Sequence, residues 1–337
     1  MILVLNCGSQ SIKYKTFNRN LKLLKEKKID VENQKNYGET LLAELEKLEK
    51  YQKEISEIGH RVVHGGEKFR DPLVVTERNL KEIEKYNKFA PLHNPFNLLG
   101  IKISKKIFPK ARQIAVFDTG FYKDLPEKAF LYGLPENLRK KYGFRRFGFH
   151  GISHEYVARE GAKKLGKPFN KLRIITCHLG GGASITAIKK GKAIDTSMGF
   201  TPLDGLMMMT RSGDIDPGIL IQLGKDLSFQ KLEKTLNNLS GIKGICGFSK
   251  MKNVLSAIKK KDEKARLALD IFIYRIQKYI GAYLAVLGGK CDILVFTGAI
   301  GAGSQKIRRL ILNGLPKMKT LAIKTNEELA IAKQIIK

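Results

Sequence analysis

The sequence predicts an α/β chain built from two copies of one folding unit, and three observations carry that prediction. The chain has 337 residues, more than a single core usually serves. The segments LNCGSQSIKY, from residue 5, and CHLGGGASITA, from residue 177, share one order: apolar strand, polar residue, glycine, small hydroxyl residue, second strand. Such a repeat in two halves indicates a duplicated fold in which each half has its own phosphate loop. A third segment, CDILVFTGAIGAGSQKIRRLIL, runs strand, glycine loop, helix, an order that can aim helix-start N–H groups at an anion.

The elements follow in chain order. Residues 2–5 (ILVL) read as a short buried strand, NCGSQS as a turn and IKYKTF as a second strand. Residues 21–58, rich in Lys and Glu and containing LLAELEKLEKYQKEI, read as a solvated helix over the first sheet. GISHEYVAREGAKKLGKP reads as a helix capped by Ser153 and closed by Gly166 and Pro168. Ile174 and Ile175 lead into the triple glycine, after which Ile185 and Ala187 alternate toward the turn KKGK, so two strands flank a loop of bare backbone. Residues 271–289 are apolar but interrupted by Arg275, Gln277 and Lys278. Leu269, Ile273, Ile276, Ile280, Leu284 and Leu287 recur at helical spacing, which predicts a core-facing helix rather than a membrane span. No low-complexity linker separates the halves, so two domains are expected to face each other across a cleft.

Composition narrows the class. With 43% hydrophobic and 28% charged residues, the chain is globular material. Cys7, Cys177, Cys246 and Cys291 are widely spaced and form no CxxC pair, which reads as buried reduced thiols in a cytoplasmic protein. MILVL is too short for a signal-peptide core. The formal charge of +30 raises nucleic-acid binding, but the lysines spread along the whole chain and no nucleic-acid module accompanies them. The expectation is neither a nucleic-acid nor a membrane partner, and a surface that draws small anions.

The residues that carry chemistry cluster. All six histidines fall in four short segments: GHRVVHGGEKF, APLHNPFN, FRRFGFHGISH and CHLGGG. In a chain that otherwise uses Lys, Arg61, Arg145, Arg146 and Arg211 sit beside glycines and aromatics, where a planar guanidinium suits anion recognition. Asp118 ends the apolar run in AVFDTGF. A functional reading is preferred for Arg61, Asp118, His150 and Arg211. His60, His64 and His154 read as packed histidines, and Asp214 and Asp216 as turn or cap residues. With carboxylates present and no thiolate cluster, Mg2+ is the metal the composition favours.

GHRVVHGGEKF, APLHNP, AVFDTGF, YGFRRFGFHGISH, IDTSMGFTPLDGLMMMTRSGDIDP and TNEELAIA together resemble the acetokinase family, of the acetate and sugar kinase, heat-shock chaperone and actin superfamily. The resemblance runs over nearly the whole chain. It implies two duplicated ribonuclease H-like (actin-like ATPase) domains flanking a cleft: residues 1–121 with 328–337, and residues 122–327. It also implies reversible, Mg2+-dependent phosphoryl transfer from ATP to acetate, giving ADP and acetyl phosphate, with Mn2+ as the alternative ion and a homodimer as the assembly.

Residue by residue, Arg61 and Arg211 resemble the arginines that grip the carboxylate and the phosphoryl group in flight. His150 resembles the histidine that hydrogen-bonds that group, and Asp118 the acid near the metal and Arg211. Asn6, at the phosphate end of the cleft, and Glu327, in TNEEL, take the metal positions. Ser9, Ser11 and Lys13 fall on the first phosphate loop; His178, Gly180, Gly181 and Gly182 fall on the second. Gly298, Ala299, Ile300, Gly301 and Gly303 match the nucleotide loop. Val63, Leu92, Phe149 and Pro202 match the pocket for the acetate methyl group.

The chain departs from the family's pattern on the donor side. Gly181 stands where the family has asparagine, and Met209 where it has glycine. Residues 298–303 read GAIGAG in place of GGIGEN, and ICGFSKMKNV replaces a stretch with an adenosine-holding aspartate and arginine. The chain is also shorter, with losses in the first helical region and between Gly303 and Thr325. These changes predict strong hold on a phosphate tail and weak hold on the base. They leave two alternatives: another donor such as pyrophosphate, and a non-catalytic phosphoryl-binding relative.

Overall fold

The computed structural model describes residues 1–9, 11–31, 33–91 and 93–336; Leu92 lies outside the described residues. The chain divides into two compact units. One comprises Met1–Lys123, Gly151–Ser153 and Asn326–Lys337, the other Asp124–His150 and His154–Thr325.

The first unit is built on strands β1 (Ile2–Gly8), β2 (Ser11–Phe17), β3 (Leu23–Asp30), β4 (Glu57–Val62), β5 (Leu73–Val74) and β6 (Arg112–Phe117), ordered β3-β2-β1-β4-β6-β5. β1 and β2 form an antiparallel hairpin, β3 continues it antiparallel, and β4 and β6 add in parallel. The alternation of β1 decides which residues serve the core. Leu3, Leu5 and Cys7 join Leu41, Leu45 and Phe108 under the helices Tyr37–Glu46 and Asn94–Ile107. Val4 turns to the opposite face, where a Cβ on Gly59 would lie 2.6 Å from Ile331 and 2.8 Å from Ile335, so only a glycine lets the helix Glu327–Ile335 sit this close.

The second unit uses β7 (Arg173–Leu179), β8 (Ala183–Lys189), β9 (Lys192–Thr196), β10 (Ile293–Thr297) and β11 (Thr320–Ala322), ordered β11-β10-β7-β8-β9. Its directions repeat the first sheet: β8 and β9 are antiparallel, β10 and β11 parallel. The predicted duplication is therefore present as topology: β9-β8-β7-β10-β11 reproduces β3-β2-β1-β4-β6. Every residue of β10 is buried, as a parallel strand covered on both faces requires. The predicted core helix is Glu263–Val286, with Leu269, Ile273, Ile276, Ile280 and the following Leu287 buried and Leu284 half-buried.

Several expectations need correction. The span 21–58 is not one helix, because Leu23–Asp30 is a strand pairing with β2. Its side chains are almost all exposed and Lys-rich, so nothing local favours a strand; backbone pairing to a neighbour decides it, and the lysines protect a sheet edge. Ser153 is no cap. The helix runs Gly151–Leu165 with His150 at its start, and Ser153 is buried in the first turn; Gly166 does close it, at φ +65°. All four cysteines are free, but Cys246 and Cys291 are only half-buried. The third glycine loop is partly a helical turn, Gly298–Gly301, followed by the helix Gln305–Leu312.

Candidate functional site

In the first unit the chemistry collects at the carboxyl ends of the parallel strands, where open α/β sheets commonly bind ligands. Register puts Val4 beside Gly59 and Leu5 beside His60, and puts Arg61 beside Val116. Asn6, Arg61 and Asp118 therefore project on one face, and His60 on the other. Arg61 donates through Nε to both Asp118 oxygens at 3.1 Å and through Nη2 to Oδ2 at 2.5 Å. Its Nη1 donates to Asn6 Oδ1 at 3.2 Å. Asn6 Nδ2 in turn donates to Glu327 Oε2 at 3.2 Å and Glu328 Oε1 at 3.4 Å, and Glu327 Oε2 is 3.9 Å from Arg61 Nε. Lys15 lies 3.6 Å from Glu328 and donates to Asn326 Oδ1 at 3.0 Å.

Burial works against the Arg61 charge, but Asp118 and then Glu327 outweigh it and hold the guanidinium above its usual range. Burial also pushes the Asp118 carboxyl up, against the pull of Arg61. The two-oxygen grip of an always-charged guanidinium keeps that carboxylate ionised. Asp118, Glu327 and Glu328 thus gather around Arg61 and Asn6, and a cluster of carboxylates suits a cation. Among the described residues no three His, Cys, Asp or Glu side chains form a metal cage. Mg2+ needs none, since it takes one or two carboxylates and completes its shell with water and phosphate. The part-exposed Glu327 carboxylate, oriented by Asn6, fits that demand.

Of the other first-unit residues, Val63 is buried and its N–H donates to Asn97 Oδ1 at 3.0 Å. Lys13 pairs across the hairpin with Asn6, and Ser11 with Gly8, so both share the face of Asn6; Ser9 lies at the hairpin tip. His60 and His64 are packed residues, as expected. His60 donates to Gln113 Oε1 at 2.8 Å, and burial lowers its pKa to about 4; burial takes His64 to about 3.

In the second unit, Gly180, Gly181 and Gly182 join β7 to β8. Gly180 N–H donates to Gly182 O at 3.0 Å, and Met209 N–H donates to Gly181 O at 3.2 Å. A Cβ on Gly181 would meet nothing within 4 Å, whereas one on Gly182 would lie 3.5 Å from both His150 Nε2 and Arg211 Nη1. The bare loop, the imidazole and the guanidinium thus converge on one point. Arg211 donates to Pro202 O at 3.1 Å, and among the described residues no carboxylate lies within ion-pair distance of it. Burial without a compensating charge lowers its pKa below the usual arginine value. A partly buried cation without a counter-charge carries a desolvation cost, and an anionic ligand relieves it.

His150 adopts φ +58°, a left-handed conformation uncommon outside glycine, at the turn into the helix Gly151–Leu165. Its ring stacks on His178, centroids 4.3 Å apart. Phe149 is buried beside it in sequence, and Pro202 is half-buried. At the end of β10, Gly298 has φ +77°, and a Cβ there would fall 2.4 Å from Leu179 O. Both conditions demand glycine and lock the Gly298–Gly301 turn against β7. Ile300 is buried in that turn, and Arg308 donates to Gly301 O and Ala302 O at 2.9 Å. Gly303, just past it, would place a Cβ 2.3 Å from Ala299 O.

Sequence reasoning missed three participants. Ser184 accepts or donates between His150 and His154, Glu328 shares Asn6 with Glu327, and Lys15 braces Glu328. The doubled glutamate in TNEEL was the available signal for Glu328; nothing local marked Ser184. Arg145 and Arg146 are structural: Arg145 stacks over Phe130 at 3.8 Å, and Arg146 donates to Thr196 O and Ser197 O at 3.0 Å. Asp216 caps the helix Pro217–Asp226, and Asp214 accepts from Gly205 N–H at 2.8 Å and Tyr279 OH at 2.7 Å.

The model of the acetokinase family matches residues 18–335. The chain is 42% identical over 392 aligned positions to the acetate kinase of Carboxydothermus hydrogenoformans, covering 99% of this chain and 98% of that protein. The alignment is longer than the chain's 337 residues, so that relative carries segments this chain lacks. Among solved structures it is similar to Porphyromonas gingivalis acetate kinase, at 36% identity, TM-score 0.89 and 98% coverage of each chain. It is also similar to a propionate kinase from Francisella tularensis subsp. tularensis, at 37% identity and TM-score 0.90, over 99% of this chain and 98% of that one.

Proposed function

The chain belongs to the acetokinase family, and on that premise we propose that it transfers a phosphoryl group reversibly between ATP and acetate, acting as a carboxyl-accepting phosphotransferase. The observation that carries this reading is Arg211: a half-buried guanidinium with no carboxylate partner among the described residues, at the bare Gly180–Gly182 backbone beside His150 Nε2. That combination neutralises a phosphoryl group and leaves it room.

Phosphoryl transfer asks a protein mainly for alignment and charge neutralisation. Acetate is already a carboxylate, so no general base is required. We assign Arg61 to the acceptor carboxylate, held in place by Asp118. Arg211 and His150 serve the equatorial oxygens of the transferring group, where charge grows in the transition state. Lys13, Ser9 and Ser11 on the first hairpin, and His178 and the glycines on the second, serve the donor's phosphates. The Gly298–Gly301 turn and Gly303 serve the nucleotide, and Val63, Leu92, Phe149 and Pro202 the methyl end of the acceptor. Mg2+, or Mn2+ in its place, would be held by Glu327 with Asn6 orienting the carboxylate; when bound it supplies charge neutralisation to the donor's phosphates.

The assembly we propose is a homodimer. Ile221 and Phe229 in the second unit, 70% and 75% exposed, support it, since large exposed apolar side chains commonly mark interfaces. Four free cysteines support a cytoplasmic location. No helix among the described residues is long and apolar enough to cross a membrane.

The deciding experiment is an acyl-hydroxamate assay of the purified protein with acetate, Mg2+ and either ATP or pyrophosphate. Hydroxamate formed with ATP supports the reading. Product with pyrophosphate alone replaces the donor, and no product with either leaves a non-catalytic phosphoryl-binding protein.

A further inference from the structure

A buried hydrogen-bond chain ends on His150. His150 Nδ1 lies 2.9 Å from Ser184 Oγ, and the same Oγ lies 2.8 Å from His154 Nε2. His154 Nδ1 lies 2.6 Å from Thr176 Oγ1. Thr176, Ser184 and His154 are all fully buried. The sheet register explains the meeting: Ser184 on β8 pairs with His178 on β7, and Thr176 stands two residues earlier on β7, hence on the same face. The helix Gly151–Leu165 brings His154 down onto that face.

We propose that the Ser184 hydroxyl, backed by His154 and Thr176, is a positioning group that keeps the proton of the neutral His150 ring on Nε2. Two imidazole nitrogens share one hydroxyl that has a single proton, so one donates to Ser184 and the other accepts from it. Thr176 sets the direction. Its hydroxyl has His154 Nδ1 as its partner at 2.6 Å, and a buried O–H needs an acceptor. The Thr176 O–H therefore donates to His154 Nδ1, and His154 Nε2–H donates to Ser184 Oγ. The Ser184 O–H donates to His150 Nδ1, which leaves the His150 proton on Nε2. His154 and Ser184 each give one proton contact and receive one, and no net proton moves. Burial, helped by neighbouring His178, holds the His154 pKa well below its usual value, in keeping with a ring that carries a single proton.

The consequence lies at the other nitrogen. His150 Nε2 is the atom 3.5 Å from the Cβ direction of Gly182, where Arg211 Nη1 also arrives. An N–H there is a donor to an anion; a lone pair there would repel one. The hydrogen bond at one imidazole nitrogen selects the proton at the other. His178 stacks on the His150 ring, and Arg211 Nη1 approaches the same point beside Gly182.

This inference rests on the reading of His150 as a phosphoryl contact, but its first test needs no turnover. In protein labelled with 15N-histidine, the neutral His150 ring is expected to show its proton on Nε2 and a hydrogen-bonded lone pair on Nδ1. A proton on Nδ1 overturns the proposal whether or not the protein is active. In the acetate-plus-ATP assay, Ser184→Ala is expected to lower kcat roughly 10- to 100-fold, less than loss of a direct transition-state donor, with KM for acetate and ATP changed less than about twofold. Ser184→Thr, which keeps the hydroxyl, is expected to recover most of kcat. Wild-type kcat in Ser184→Ala overturns the proposal. If that variant does not fold, the wild-type spectrum decides by itself.

Discussion

Arg61 holds Asp118 by both carboxylate oxygens, with Nη2 2.5 Å from Oδ2, while its remaining arm reaches Asn6. The pair fixes a cation at the carboxyl ends of β1, β4 and β6, and on the proposed assignment Asp118 acts through Arg61. Asp118→Asn removes the charge that holds the guanidinium but keeps the volume. We expect a fall in kcat/KM for acetate of about 100-fold, with Arg61→Ala at least as severe. A variant Asp118→Asn with near-wild-type kcat/KM would contradict the assignment.

Arg211 is expected to separate activity from stability. Its guanidinium is half-buried with no counter-charge among the described residues, so the fold gains little from it. Arg211→Met should lose about 100-fold or more in turnover and yet unfold at a Tm equal to or above wild type. A large drop in Tm would show that Arg211 is a structural residue.

Donor selectivity should be loose at the base. Gly8, Gly180, Gly181 and Gly182 leave the backbone bare where the donor's phosphates are proposed to bind, while the turn assigned to the nucleotide is held by Gly298 against Leu179 and carries GAIGAG. KM measured for ATP, GTP, inosine triphosphate and pyrophosphate at fixed acetate is expected to vary little among the nucleotides. A strong preference for ATP over GTP refutes this. Gly298→Ala should raise KM for every nucleotide, because a Cβ at 2.4 Å from Leu179 O and at φ +77° forces the turn to move.

Acetate should be preferred to propionate only moderately. Apolar side chains discriminate one methylene by ~1–3 kcal/mol, about 10- to 200-fold in kcat/KM. The ratio of kcat/KM for the two acids is the measurement; complete exclusion of propionate would contradict the proposed apolar lining for the acceptor's methyl end.

Stability should fall on mild acidification. Burial holds His60 near 4, His64 near 3 and His154 well below 6.5 in the folded protein, whereas the unfolded chain titrates near 6.5. Below 6.5 the unfolded state binds more protons, so stability present at neutral pH is lost as pH drops toward 4 and 3. Urea unfolding at pH 7.5 and 5.5 is expected to show a loss on the order of 1–4 kcal/mol, with a smaller loss in His60→Gln. Equal stability at the two pH values would show that these histidines already bind protons in the folded chain.

The duplicated architecture was legible because its signals are local. An apolar run, a glycine turn and a second alternating run specify a hairpin wherever they occur, and LNCGSQSIKY and CHLGGGASITA specify it twice. Arg61, Asp118 and His150 were legible for a similar reason, since glycine-flanked charged residues at strand or helix ends stand out in a Lys-rich chain. The strand Leu23–Asp30 was illegible: LLKEKKID has a helical composition, and only the backbone of β2 makes it a strand.

By itself the sequence determined which segments are strands and helices where periodicity speaks, and the family to which the chain belongs. Tertiary structure alone decided which distant residues meet. Asn6 reaches Glu327 across 321 positions, and Ser184 reaches His150 across 34. It also decided that Arg211 is half-buried with no counter-charge among the described residues, and that Gly298 must pass the Leu179 carbonyl. The physical reason is the range of the forces involved. Side-chain periodicity acts within a few residues and is written along the chain. Hydrogen-bond satisfaction and burial act through space, and depend on which strands pair and which face of each is covered.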